Sequence, residues 1–343
     1  MLPALGRPTG RRRLAVPALL VVAALAFVLS GCASSADYES RGGEGSVRQD
    51  SAPRPGTTVV AMEFLNAYEN EPGAFYYPIQ GLAACEYSAD GTLIFCDDNR
   101  GRVFGLDPGS LVWYEFDNPN TRPYRPVDIQ VDGFKVLILD AGGNSIFRFN
   151  LSGSWLDKLV DVRDLDPAVL PQTSGFAVDR DGRMVISDTA QQQVLLLDAF
   201  LNLNMRLGSP GSLDDQFTDP GGLTFLPDGS IVVSDRANRR LARYGRLGFY
   251  EQTIGGDFDP ANPFLAPQGL DSDRFGNLFV ADQGNGLIHV FDRRLRLLFS
   301  AGREFGIRGT PLGPVDVAVG PNGQLAVLDR ARSAILVYRL VYE

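Results

Sequence analysis

Residues 267–292 read PQGLDSDRFGNLFVADQGNGLIHVFD, and residues 220–245, one step of 47 earlier, read PGGLTFLPDGSIVVSDRANRRLARYG. Each stretch opens on Pro-x-Gly, runs through a short apolar strand and a turn, continues into a second strand ending in Asp, and adds a third strand. Stepping outward by 47, the same lead position holds Gly81, Asp128, Gly175, Gly222, Gly269 and Asp316. The second strands close as IFCD, LILD, VISD, VVSD, FVAD and AVLD, which aligns a second column: Asp97, Asp140, Asp188, Asp235, Asp282 and Asp329. From the third copy onward the Asp follows the lead residue by thirteen positions. Counted this way, the first copy has three extra residues in its first hairpin and the second copy lacks one.

Six copies of 40–50 residues, each offering about four short strands, are the signature of propeller blades. A single blade cannot cover its own apolar faces, so the copies must stack about an axis. Asp181-Gly182, Asp228-Gly229 and Asn322-Gly323 suit the hairpin turns, where positive φ is needed. The sixth copy ends after its third strand, while an orphan strand, Thr58–Phe64, precedes the first copy. The expectation is an all-β, six-bladed propeller over 58–343, with the N-terminal strand completing the last blade beside Ile335–Tyr338. That closure removes the open sheet edges. The connection 161–174 is long enough for a helical turn.

The repeats resemble the NHL family, carried by the two stretches quoted above and extending over residues 79–343. Asn238 and Asn285 match that family's loop Asn; Arg100, Gly143, Gln191 and Arg332 depart from it. The resemblance implies a binding platform more often than an enzyme, and it fixes the fold rather than the role.

The N-terminus has a different character. Arg7, Arg11, Arg12 and Arg13 precede the apolar run Leu14–Leu29, which ends in Leu29-Ser30-Gly31-Cys32. Basic, apolar and small-residue stretches in this order form an export signal, and the run is too short for a comfortable transmembrane helix. The final four residues resemble a bacterial lipobox. That implies a signal peptide over 1–31, removed before Cys32, and acylation of Cys32, palmitate-type chains giving firm attachment to a membrane. Ala33 and Ser34 follow, with no Asp, which by resemblance to sorting rules implies the outer membrane in a diderm organism and otherwise the outer face of the cytoplasmic membrane. Residues 32–57 are polar and rich in Gly, Ser and Pro, the composition of a disordered tether.

The whole chain carries 32 bases and 41 acids. The signal holds four of the bases and none of the acids, leaving 28 against 41, or a net charge near −13 after cleavage. Such a surface repels phosphate backbones, so nucleic acid is excluded as a partner. The expected partners are envelope proteins, met by a monomeric propeller, with the membrane engaged through the lipid.

Individual residues refine this. Asp97 and its five counterparts sit where a strand end can accept N–H groups two or three residues on, a structural role. Cys85 and Cys96 flank the Asp90-Gly91 turn at equal distance, which places them opposite each other. In an exported protein either a disulfide or two buried thiols fits, the oxidising compartment favouring the bridge. His289 is the only histidine. A three-His zinc centre is therefore excluded, and His289 is expected on a strand, facing solvent or a polar partner.

The case for catalysis rests on Asp128 and Asp316 at lead positions and on Asp271 two residues further in. The other copies place Ala83, Gln130, Ala177, Thr224 and Ala318 in the position of Asp271. These three carboxylates are the alternative Ca²⁺ site of a gluconolactonase-like hydrolase centred on the channel. The leading expectation uses neither cofactor nor catalytic residue. It places the binding face on the loops after the second strands and before the first: Arg100, Arg236, Asn238, Arg239, Arg330 and Arg332, with Tyr76, Tyr77 and Tyr124 from the long connections. Mixed arginine and aromatic loops suit protein recognition.

Overall fold

A computed structural model describes residues 56–68, 80–107, 113–116, 124–302 and 313–343. The expected signal peptide, Cys32, most of the expected tether, and Tyr76 and Tyr77 lie outside the described residues. Twenty-four strands form six antiparallel sheets of four. The innermost strands are β2 (Leu82–Tyr87), β6 (Pro126–Asp132), β10 (Thr173–Val178), β14 (Pro220–Phe225), β18 (Pro267–Ser272) and β22 (Pro314–Val319). Each touches the next, and β22 returns to β2, so the sheets close into a ring. The protein is a six-bladed β-propeller.

Apolar side chains at alternate positions of neighbouring sheets interleave at every seam. Ile94, Cys96, Ile138 and Phe149 fill the seam between blades one and two. Phe279, Val290, Leu325 and Leu336 fill that between five and six. The second strands, such as β19 (Leu278–Asp282) and β15 (Ile231–Asp235), are buried along their whole length because both faces meet a neighbouring blade.

The ring is sealed by β1 (Val59–Tyr68), which pairs antiparallel with β24 (Ala334–Tyr342). Met62 lies opposite Leu340 and Phe64 opposite Tyr338, so the first strand completes the sixth blade. Beyond the sheets, α1 (Val162–Leu165) is a single turn capped by Asp161, whose side chain accepts the Arg163 N–H.

Two details of blade one differ from the expectation, and both follow from its first turn. Ser88 N donates to Thr92 O at 2.9 Å and Gly91 N to Ser88 O at 2.9 Å, with Gly91 at φ +87°. The loop is therefore three residues, Ala89-Asp90-Gly91, closed by a glycine bulge, not the two-residue Asp90-Gly91 turn. The register moves by one: Cys85 opposes Phe95, and Cys96 opposes Val103. A one-residue shift sends a side chain to the other face of the sheet. Cys85 packs in the seam with blade six and Cys96 in the seam with blade two, and both are free buried thiols. The expected disulfide is thereby overturned.

The second difference concerns alignment. Leu82 pairs with Asp97 as Pro220 pairs with Asp235 and Pro267 with Asp282. The lead residue of blade one is thus Ala84, not Gly81, and its first hairpin has no extra residues. Blade two does lack one: Asp132 pairs with Lys135 around a two-residue turn.

Candidate functional site

The lead residues stand where the innermost strands approach most closely. A Cβ on Gly222 would come 2.5 Å from Gln268 O, and one on Gly175 2.7 Å from Gly221 O, so only glycine fits there. Where aspartate replaces glycine, the carboxylate spans the seam. Asp128 accepts Phe176 N of the next blade at 2.7 Å and Ile129 N at 2.7 Å. Asp316 accepts Cys85 N at 2.8 Å in the same manner. Asp271, two residues further along its strand, accepts Val319 N and Ser272 N at 2.7 Å each. These three aspartates are clips between blades.

They converge on a cavity of about 50 Å³ on the ring axis, whose polar lining includes Glu86, Asp128, Gln130, Gln268, Asp271 and Asp316. That volume holds a few waters. Glu86 was missed from the sequence. Once blade one is aligned on Ala84, Glu86 falls in the column of Asp271 where Ala83 had been placed. Counting back from Asp97 by the spacing of the later blades would have found it.

Each of the four carboxylates is partly exposed and lines the cavity. Burial pushes Asp128 up to about 7 and Asp271 to about 6, against the pull of their N–H partners. Glu86 and Asp316 are also raised well above the usual carboxylate range by burial, reinforced by Asp271 beside Glu86 and by Asp128 beside Asp316. Burial thus favours the protonated form throughout the cluster, most strongly at Glu86 and Asp316. Among the described residues no group of three or more His, Cys, Asp or Glu converges as a metal's donor set. The oxygens of Asp128, Asp271 and Asp316, named above as the alternative Ca²⁺ ligands, each accept a separate backbone N–H.

The six strand-end aspartates are all buried. Five accept a backbone N–H of their own following loop, as Asp97 does from Arg100 N at 3.2 Å and Asp140 from Gly142 N at 3.0 Å, and Asp235 accepts the Asn238 side-chain amide instead. Each also reaches back to the segment entering its blade. Asp188 takes Gln172 N at 3.0 Å, Asp235 takes Asp219 N at 3.0 Å, Asp282 takes Ala266 N at 2.8 Å, and Asp329 takes Gly313 N at 3.1 Å. One side chain therefore ties two loops together on the same end of the ring.

His289 is buried rather than facing solvent. Its Nδ1 lies 2.7 Å from Ser300 Oγ and its Nε2 3.4 Å from Asp282, with Phe264 packed edge-on against the ring. It belongs to the wall of blade five and does not line the axial cavity.

The expected arginine face is mostly occupied by partners from other loops. Arg236 pairs with Asp219 at 2.6 Å and Arg239 with Asp257, while Arg330 reaches across the seam to Asp98 at 3.0 Å. Two members turn inward. Asn238 Nδ2 donates to Asp235 at 2.6 Å and to Gly211 O at 3.0 Å. Arg332 lies 3.4 Å from Asp329 with its side chain only 8% exposed. Tyr124 is not a surface aromatic either: it packs against Phe147, and its hydroxyl is buried. Arg100 is half-exposed and makes no ion pair among the described residues. The same end of the ring displays apolar side chains that sequence reasoning missed: Leu170, Leu213, Phe258 and Leu265, on three successive connections from blade two to blade five.

No protein-family model matches the chain. Among solved structures it is similar to a streptogramin B lyase, at 15% identity over 82% of this chain and 98% of the other, with a TM-score of 0.59. It is similar to a gluconolactonase from Xanthomonas campestris, at 18% identity over 84% and 99%, with a TM-score of 0.60. A third similar structure is regucalcin, a calcium-binding protein from Agrobacterium tumefaciens, at 14% identity over 83% and 95%, with a TM-score of 0.57. At such identities the likeness is one of fold alone.

Proposed function

We propose that this chain is a lipid-anchored, extracytoplasmic propeller of NHL type that binds or scaffolds proteins of the cell envelope. The observation that carries the reading is how the axial site is used. Its aspartates Asp128, Asp271 and Asp316 are held by backbone N–H groups of adjacent blades, which gives them a structural task. Recognition then falls to the ends of the ring. The loop-rich end offers Leu170, Leu213, Phe258 and Leu265 beside the Arg236–Asp219 and Arg239–Asp257 pairs. Apolar anchors among exchangeable ion pairs form the kind of patch a protein partner buries. The anchor rests on Leu29-Ser30-Gly31-Cys32 at the end of the apolar run.

Two measurements test the proposal. Replacing Cys32→Ala should move the protein from the membrane fraction to the aqueous one. Crosslinked capture from envelope extracts should recover a defined partner with the native protein and lose it with Leu170→Ser/Phe258→Ser at unchanged thermal stability. Identical captures would reject the loop-rich end as the binding surface. A thermal shift on adding Ca²⁺ would instead redirect function to the axial cavity.

A further inference from the structure

The chain enters the propeller at a definite place. Thr57 N and Thr58 N donate to Glu343 O at 3.2 and 3.1 Å, and Asn277 Nδ2 of blade five donates to Thr57 O at 2.8 Å. Gly56 therefore lies at the end of the ring that carries the turns between first and second strands and between third and fourth. The two sets of turns share that end: Arg246 in a 3–4 turn of blade four bonds to Asp181 in a 1–2 turn of blade three at 2.5 Å.

That same end bears Phe134, Phe200, Leu247 and Phe249, on the turns of blades two, three and four, each between 66% and 86% exposed. The next sector, blade five, is basic. Its two turns hold Arg274, Arg293, Arg294 and Arg296 beside Asp273 and Asp292, with Arg296 paired to Asp292 at 2.6 Å, so the arginines of these turns exceed the aspartates by two. Arg274 sits in the very turn whose Asn277 holds the incoming chain. On a propeller domain that is acidic overall, this is a local reversal of charge beside the point of attachment.

The geometry points to the turn-bearing end of the ring as a bilayer-docking face, with the Phe and Leu side chains entering the interface and the blade-five arginines meeting anionic headgroups. This inference rests on the anchored reading. Cys32 precedes Gly56 by 24 residues, a reach of at most about 80 Å, and it attaches at this end and no other. Aromatic and leucyl side chains beside basic ones are the composition of interfacial binding surfaces. Four such side chains bind a bilayer weakly alone. A tether that holds them at millimolar effective concentration makes weak contact sufficient. The loop-rich end then faces away from the membrane, free for a protein partner.

The test uses the acylated full chain in protein-free vesicles, with an environment-sensitive fluorophore on Phe200→Cys and, separately, on Phe258→Cys at the opposite end. Cys85 and Cys96 are buried and Cys32 is acylated, so labelling is selective. In phosphatidylglycerol vesicles the Phe200 probe should shift to the blue and brighten at least twofold, and the Phe258 probe should not. Replacing Phe134→Ser and Leu247→Ser in the Phe200-labelled protein should remove most of the shift. Equal spectra at the two positions, in a protein that still floats with the vesicles, would overturn the docking face while leaving the anchor intact. Failure of the native protein to float would instead strike the anchored reading. A shift that requires other envelope proteins would also overturn the proposal, marking this end as a protein interface.

Discussion

Replacing Asp128→Asn should leave stability nearly unchanged at pH 5 and raise it at pH 8. In the folded protein this carboxyl is pushed from 3.8 to about 7 by burial; in the unfolded chain it titrates normally. Because the folded value is raised, its stabilising contribution is complete below about pH 4, declines as pH rises, and is lost once pH passes 7. The difference between the two values corresponds to roughly 4 kcal/mol at pH 8, which water in the axial cavity reduces to about 3 kcal/mol. Asparagine carries no charge and keeps one acceptor for Phe176 N, but it loses the second acceptor, for Ile129 N, at a cost of about 1 kcal/mol. By pH 5 about 1 kcal/mol of the native contribution is already lost, so the variant should be about as stable as the native protein there and about 2 kcal/mol more stable at pH 8. Acids with lowered values, such as Asp157 and Asp282, act in the opposite sense but titrate below this window. Urea unfolding at the two pH values, with equal slopes for both proteins, measures the effect. A variant destabilised equally at both would show that Asp128 stays ionised in its clip, and the reasoning from burial would fail.

In Cys32→Ala protein without reductant, Cys85 and Cys96 should resist a thiol reagent while the fold is intact, since burial raises both thiols well above their usual value. Both should react on unfolding; a protein that yields no free thiol in denaturant would restore the disulfide. Gly269→Ala places a Cβ 2.0 Å from Asp316 Oδ1 and 2.7 Å from Asp316 Cα, and it should cost about 3 kcal/mol or more in urea unfolding. Gly133→Ala, strained only by its φ of +59° with open space around it, should cost about 1 kcal/mol. Equal losses at the two sites would refute the close approach of the inner strands.

The fold was legible because each blade repeats its punctuation. The Asp column and the 47-residue step identify six blades, and the missing outer strand of the last blade identifies Thr58–Phe64 as its completion. Blade one was misread for a local reason. Gly81 falls on the 47-residue step by coincidence, and Asp90-Gly91 looks like a two-residue turn although the loop starts one residue earlier. The one-residue turn error put Cys85 and Cys96 on one face, and the three-residue misplacement of the lead residue hid Glu86 from the channel column. The strand-end aspartates were legible in half of their role. Bonds to the following loop are local in sequence, whereas acceptance from the segment some sixteen residues upstream depends on the closed blade. The arginine face was overread because Asp219, Asp257 and Asp98 come from other loops, and sequence proximity does not reveal them. Phe134, Phe200 and Phe258 were not singled out, since one apolar residue in a turn carries no periodic signal.

The seal made by the first strand sets the order of events during biogenesis. Glu63 meets Arg339 across 276 positions of sequence, so the earliest part of the domain to be synthesised must await the very last. Until the final nine-residue strand arrives, ten residues that begin at Val59 have no ladder to join, and the sixth sheet lacks both of its outer members. A nascent chain stalled short of Ala334 is consequently an open arc with bare hydrogen-bonding groups, a species prone to pairing with a second unfinished copy. Arrival of Ala334–Tyr342 is the event that lets the first strand pair and closes the ring.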